Sequence, residues 1–260
     1  MQRRQFLRNA AGLSALLAAE CAPWSGMLAL AREVDDFVRG PVVRDHPLRQ
    51  ISPHVWMIHS PDAFPTPENQ GMMCNITFVD TRDGLVVVDS GASVQIGEMA
   101  IRQVRKQWKK PVVAIINTHY HGDHWLGNHA FAEAYGAALP IYAHPGTQAE
   151  IRGMQGNLWR TLMEQWTNQA TMGTQVVPPN QTVNHGEVLK FGDVSLRIHH
   201  YGKAHTPSDI CVEVLEDRLT CVGDVAMDRR IANMDDGSYL GSLATYAALE
   251  QHAASRLWLP

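Results

Sequence analysis

Thr118-His119-Tyr120-His121-Gly122-Asp123-His124 places three imidazoles and a carboxylate close together, just after the apolar run Pro111-Val112-Val113-Ala114-Ile115-Ile116. The run is β-branched and apolar on both faces, so it reads as a central strand covered on both sides. The histidines therefore stand where a buried strand ends and the chain turns. Open α/β folds place their chemistry at such strand ends. Neutral imidazole together with carboxylate suits zinc, with iron the nearest competitor. His119 and His121 are two apart in an extended stretch and project to one side. Asp123 and His124 are adjacent, and a turning backbone can aim them at a neighbouring point. So many ligand groups in one short loop suit two metals side by side better than one.

The pattern His119-x-His121-x-Asp123-His124 resembles the metal-binding signature of the metallo-β-lactamase superfamily, over a chain segment from about His54 to the end. The resemblance implies an α/β fold, a four-layer αββα sandwich with its metal site at one edge of the two sheets. It assigns His119 and His121 to a first metal, and Asp123 and His124 to a second. The stretch Gly202-Lys203-Ala204-His205-Thr206-Pro207-Ser208-Asp209 matches the second signature of that family, and makes His205 the third histidine of the first metal. Asp224, at the end of the hairpin strand Leu219–Val222, matches an aspartate that bridges both metals in the glyoxalase II and lactonase branches. The best-known β-lactamase branch has a cysteine there; Cys221 falls three residues early and reads as a buried small residue. The family usually adds a last metal histidine after a final strand. Here Leu257-Trp258-Leu259-Pro260 begins such a strand and His252 is a poor substitute, so the sequence reads as a fragment of a longer protein.

The chain has 260 residues, 45 % of them hydrophobic, which is enough for the core of one large domain. Its start has the parts of a twin-arginine export signal over residues 1–31: Arg3-Arg4-Gln5-Phe6-Leu7, a short apolar stretch from Ala10 to Ala19, and Ala29-Leu30-Ala31 as cleavage site. Export by the twin-arginine machinery implies a periplasmic protein that folds and acquires metal before crossing. Removing three arginines and one glutamate with the signal takes the net charge from −4 to −6, which argues against nucleic acid as a partner. No apolar run is long enough for stable insertion in a membrane. Cys74, Cys211 and Cys221 remain, an odd number without Cys-x-x-Cys spacing, so a disulfide framework is not expected.

Residues 32–50 read as a linker and 51–260 as the domain. Asn75–Val79 and Leu85–Val88 form a hairpin whose second strand ends in Asp89, a carboxylate placed to hold the metal loop through hydrogen bonds. Ser93 caps a helix that runs to about Trp108. Trp125–Tyr135 reads as a short helix closed by Gly136. Gly146 to Gln169 reads as one long helix with two apolar stripes, either packed on the core or facing substrate as a lid. His129, His144, His199 and His200 read as structural, with one of the last two in reach of the site.

These readings converge on a hydrolase with two zinc ions, in which a metal-bound hydroxide attacks an ester, thioester, lactone or related bond of a small-molecule substrate. Asp123 would orient the hydroxide as well as bind the second metal. Three alternatives remain open: a β-lactamase, a persulfide-dioxygenase-like oxidoreductase with one iron on His119, His205 and Asp224, and an export protein that binds metal only for stability.

Overall fold

Strand β4 (Gly84–Val88) and strand β5 (Val112–Ile116) form the spine of the first sheet, paired in parallel and buried on both faces. The computed structural model describes residues 38–61, 64–228 and 230–260, and Gly40–Pro260 form one compact unit. The expected export signal, residues 1–31, lies outside the described residues. Alternation explains the layering. Leu85 and Val87 of β4 point to one side, Val86 and Val88 to the other, and each pair enters a different core.

The first sheet has seven strands in sequence order: β1 (Leu48–Gln50), β2 (Val55–Ile58), β3 (Ile76–Thr81), β4, β5, β6 (Ile141–Ala143) and β7 (Gln181–Thr182). The second runs β12 (Leu257–Leu259), β11 (Leu219–Cys221), β10 (Cys211–Val214), β9 (Val194–His199) and β8 (Val188–Phe191). Val86, Val88, Ala114 and Ile116 meet Leu196, Ile198, Val212 and Val214 in the core between the sheets. Outside the first sheet pack helix α1 (Val94–Gln107) and helix α3 (Asn128–Tyr135), through Ile96, Val104 and Phe131. Outside the second packs helix α6 (Tyr239–His252), through Leu249 on Cys211 and Val222. The result is the expected αββα sandwich. No helix among the described residues is long and apolar enough to cross a membrane.

The topology collects the chemistry at one edge. β4, β5 and β6 are parallel, so their carboxyl ends coincide. β9 and β11 are both antiparallel to β10, so their carboxyl ends also coincide. Asp89, the 118–124 loop, His205 and Asp224 follow β4, β5, β9 and β11 respectively.

Three local expectations change. Residues 40–50 are more than a linker: β1 pairs antiparallel with β2, Val43 is buried in the core, and Asp45 is ion-paired to Arg102 and Lys106. The long helix is two, α4 (Pro145–Arg152) and α5 (Met154–Trp166), because Gly153 leaves helical geometry at φ −85°, ψ −137°. The segment before Gly136 is likewise split into a single turn, α2 (Gly122–Trp125), and α3.

The sheets are tied at their far edge by Asp217, in the β10–β11 turn. Its carboxylate accepts hydrogen bonds from Ser52 Oγ and from the His54 backbone N–H at 2.8 Å, and pairs with His54 Nδ1 at 2.6 Å. Burial opposes ionisation of Asp217, but the His54 and Ser52 donors prevail and hold its carboxyl below the ordinary range. Its contribution is therefore present above the unfolded-state pKa of ~3.9 and is lost as pH falls through the lower folded value. Asp217→Ala is expected to lower stability by about 1 kcal/mol at pH 7, because half-buried donors on Ser52 and His54 lose their partner. Urea unfolding of both proteins at pH 7 measures this, and an unchanged midpoint would show that water replaces the carboxylate.

Candidate metal centre

The loop after β5 is built around Asp89, which sits at φ +57° at the end of β4. Its Oδ1 accepts from the Thr118 backbone N–H, and its Oδ2 from Thr118 Oγ1, both at 2.8 Å. The same Oδ2 lies 2.8 Å from His124 Nδ1. Thr118 Oγ1 in turn lies 3.0 Å from His119 Nδ1. Asp89 thus fixes which ring nitrogen of each histidine carries the proton: Nδ1–H points back to the support and Nε2 points into the site. Around it, Ser90, Asn117 and Asn128 form a buried polar net, with Asn128 Nδ2 donating to Asn117 Oδ1 at 2.8 Å and Ser90 N donating to the His124 carbonyl at 2.8 Å.

The consequence is that several buried imidazole nitrogens of the cluster lack a hydrogen-bond partner. Among the described residues seven buried side-chain polar atoms lack a hydrogen bond, and His119 Nε2, His124 Nε2 and His205 Nδ1 are three of them. His124 Nε2 does have carboxylate oxygens of Asp123 and Asp224 at 3.2 and 3.4 Å, at ion-pair distance but not in hydrogen-bond alignment. On His205 it is Nε2 that faces His121 Nδ1, at 2.8 Å. A buried polar atom without a partner is costly, and a cation would satisfy such lone pairs.

Two overlapping groups have the spacing to hold a metal ion: His119, His121 and His205, and His119, His124 and Asp224, with ligand atoms within 4.8 Å of one another in each. Asp224 lies between them. Its Oδ1 is 3.4 Å from His124 Nε2 and its Oδ2 is 3.4 Å from His205 Nε2. The structure therefore brings together His119, His121, His124, His205 and Asp224. Asp123 is outside both groups but is buried next to them beside His124, its backbone carbonyl taking the Cys74 thiol hydrogen. Gly223 makes the approach of Asp224 feasible: it has φ +51°, and a Cβ there would lie 2.8 Å from Thr118 Oγ1.

The charge pattern suits the same purpose. Burial and the neighbouring His124, His121 and His205 hold His119 well below its ordinary pKa, so it stays neutral and able to ligate. Burial lowers His121 in the same way, with His205 adding to it. His124 goes the other way: burial opposes its charge, but Asp123, Asp224 and Asp89 prevail and raise it well above the ordinary range. Burial also works against ionising Asp224, yet His124, His205 and His121 keep its carboxyl well below its usual value. Asp209 closes the turn after His205, accepting from Thr206 N at 2.7 Å and Thr206 Oγ1 at 2.8 Å, while burial pushes it up to about 6.

One residue of the site escapes a reading of the sequence. Asp236 Oδ2 lies 3.3 Å from His121 Nε2, so it holds the ring whose Nδ1 faces His205. Its own segment is clamped to the His205 loop, since Ser238 N donates to the Ala204 carbonyl at 2.7 Å and a Cβ on Gly237 would lie 2.8 Å from the His205 carbonyl. In sequence Asp235-Asp236-Gly237 looks like a turn before a helix, and nothing there points to His121.

Four further histidines serve local structure, and the expectation that His199 or His200 lies within reach of the site is not met. His144 caps α4 by accepting from Gly146 N, and His129 accepts from Gln175 N. His199 pairs with buried Glu213 at 2.8 Å, and His200 Nδ1 is 2.8 Å from the Asp209 carbonyl. Neither reaches the cluster. Cys74, Cys211 and Cys221 are buried free thiols, and burial pushes Cys221 up to about 12.

The family profile of the Metallo-beta-lactamase superfamily matches residues 69–257. A metallo-beta-lactamase from Pontibacter korlensis superposes with a TM-score of 0.62 over 82 % of this chain and 89 % of its own, at 18 % identity. The metallo-beta-lactamase IND-7 does so with a TM-score of 0.59 over 86 % and 88 %, at 16 % identity. These likenesses are of fold. In sequence, a linear primary-alkylsulfatase of Pseudomonas sp. (strain ATCC 19151) is 40 % identical over 53 residues, which is 20 % of this chain and 10 % of that enzyme. An uncharacterized protein of Aquifex aeolicus (strain VF5) is 24 % identical over 62 % of this chain and 69 % of its own length. The match thus spans about a tenth of the length of the alkylsulfatase.

Two outcomes are expected of this geometry. A divalent cation that uses His124 must displace its proton, so uptake should tighten as pH rises from 6 to 8 and release protons at pH 7. Calorimetric titration in buffers of different ionisation enthalpy reads both, and pH-independent uptake would remove the role given to His124. Asp236→Ala should weaken metal retention about tenfold or more through the loss of His121 support, as measured by chelator competition; unchanged retention would make Asp236 incidental.

Proposed function

The chain belongs to the metallo-beta-lactamase superfamily, and from that premise we propose that it is a zinc-dependent hydrolase with a two-metal site. The observation that carries this reading is Asp224, whose two oxygens address His205 on one side and His124 on the other at 3.4 Å each. In this reading His119, His121 and His205 would hold one metal and Asp123 and His124 the other, with Asp224 available to both. Zinc in such a site would supply Lewis acidity and an acidified water, the nucleophile that hydrolysis at neutral pH needs.

The chain's own residues then have separate tasks. Asp89 and Thr118 set the tautomers of His124 and His119. Asp236 orients His121 through Nε2. Asp123, buried beside His124, is placed to accept a proton from the attacking water and to orient it. Trp159 walls the site on the side of α5, its ring 4.8 Å from that of His121.

The bonds we assign to it are esters, thioesters, lactones and related acyl or sulfate esters. An aspartate rather than a cysteine at position 224 favours these over β-lactams, and the alkylsulfatase similarity, short as it is, also concerns an enzyme named for an ester substrate. We further propose a periplasmic location and a small-molecule substrate, which the twin-arginine pattern read over residues 1–31 supports.

The test is hydrolysis of a panel of esters, thioesters, lactones and β-lactams by the zinc-loaded protein, before and after chelation, with Asp123→Asn and Asp123→Ala alongside. Chelation should abolish turnover and zinc should restore it. Both variants should lower kcat by about 10²–10⁴-fold with thermal unfolding close to wild type. Variants that melt early would make Asp123 structural instead, and turnover that survives chelation would overturn the reading.

A further inference from the structure

Beside the ligand cluster opens a cavity of ≈ 510 Å³ whose lining is mostly apolar, with Arg230, Asn233 and Asp235 among the polar side chains that also border it. Phe64, Met73, Trp159, Leu162, Trp166 and Leu259 line it, brought from the 64–73 loop, α5 and β12. Three rings form a ladder that starts at the cluster. The Trp159 ring is 4.8 Å from His121, Trp166 is 6.1 Å from Trp159 in a T-shaped contact, and Phe64 is 5.3 Å from Trp166.

Helix α5 packs on the core through Met163, with Trp159 and Trp166 against the same cluster, and yet turns part of its apolar stripe to the cavity. Of α5, only Gly156 and Met163 are buried, while Trp159, Leu162 and Trp166 are half-buried and border the cavity. Phe64 is 58 % exposed, far more than an aromatic ring with a packing role needs. Gly122 fixes the near end of the ladder, because a Cβ there would meet the Trp159 Cβ at 2.7 Å. The rings can gain further contact by covering an apolar group that enters from solvent toward the metal end.

We infer that the substrate carries one long alkyl or aryl arm attached to a compact scissile ester head, with the arm lying along Trp159, Trp166 and Phe64. This rests on the hydrolase reading for the head but not for the arm, and the two can fail separately. The head could be a neutral acyl ester or a sulfate ester; the arm is common to both.

The experiment measures Kd without turnover. Neutral 2-ketones from butanone to 2-decanone, and n-alkyl sulfates of the same chain lengths below their micelle concentration, are titrated against the full chain by ligand-observed NMR. The arm site predicts that Kd falls by up to about fourfold per methylene, the limit set by full burial of each group, and then levels off when the ladder is full. A steep ketone series supports a neutral head and a steep sulfate series an anionic one. The slope should fall in Phe64→Ala, an exposed position whose truncation leaves the core intact, and further in Phe64→Ala with Trp166→Ala. Kd values independent of chain length in both series, or a slope unchanged in the double variant, would overturn the inference. Chain-length-dependent binding in a protein that hydrolyses no ester would leave it standing and sink the hydrolase reading instead.

Discussion

Everything at the active edge depends on one buried carboxylate. Asp89 binds the Thr118 backbone and hydroxyl and the His124 ring at once, so the two ends of the 118–124 loop are held by one side chain. Without it the protonated faces of His119 and His124 would have no fixed direction, and their Nε2 atoms would have no reason to converge. A φ of +57° is uncommon outside glycine, and aspartate is one of the side chains that adopts it at a modest cost. That cost is offset by three hydrogen bonds to a carboxylate inside the protein, where such bonds are strongest.

The sandwich serves that carboxylate. β4 and β5 are parallel, so the loop after β5 starts beside the end of β4. The second sheet brings His205 and Asp224 to the same edge because β9 and β11 run in one direction on either side of β10. The sheets then meet through backbone contact as well as core packing, as in the hydrogen bond from Ile210 N to the Thr118 carbonyl at 2.9 Å. The charges are arranged so that His119 and His121 stay neutral, while the carboxylates gather around His124. Such a division prepares a site for cations before any is present.

Much of this was legible in the sequence, for physical reasons that also mark its limits. Three histidines and an aspartate after a β-branched run have few uses other than metal binding, and Asp89, His205 and Asp224 each stand at a strand end. Asp236 was not legible, because its role arises from a long-range contact and its local sequence is that of an ordinary turn. The break at Gly153 was missed since a glycine costs a helix only about 1 kcal/mol, which packing can outweigh in either direction. Whether α5 covers core or lines a cavity could not be decided from periodicity, since both need the same stripe; in the structure Trp159 and Trp166 do both, packing on the core and bordering the cavity. Residues 40–50 looked like a linker because β1 is an edge strand, with exposed Arg49 and Gln50.

The central claim is that two metals lie side by side with Asp224 between them. Elemental analysis of the purified full-length protein tests it most directly, with zinc and iron counted per chain in wild type and in Asp224→Ala. The account predicts close to two zinc ions in the wild type and a clear loss in the variant. A single iron per chain, or a zinc content that does not change when Asp224 is removed, would contradict it.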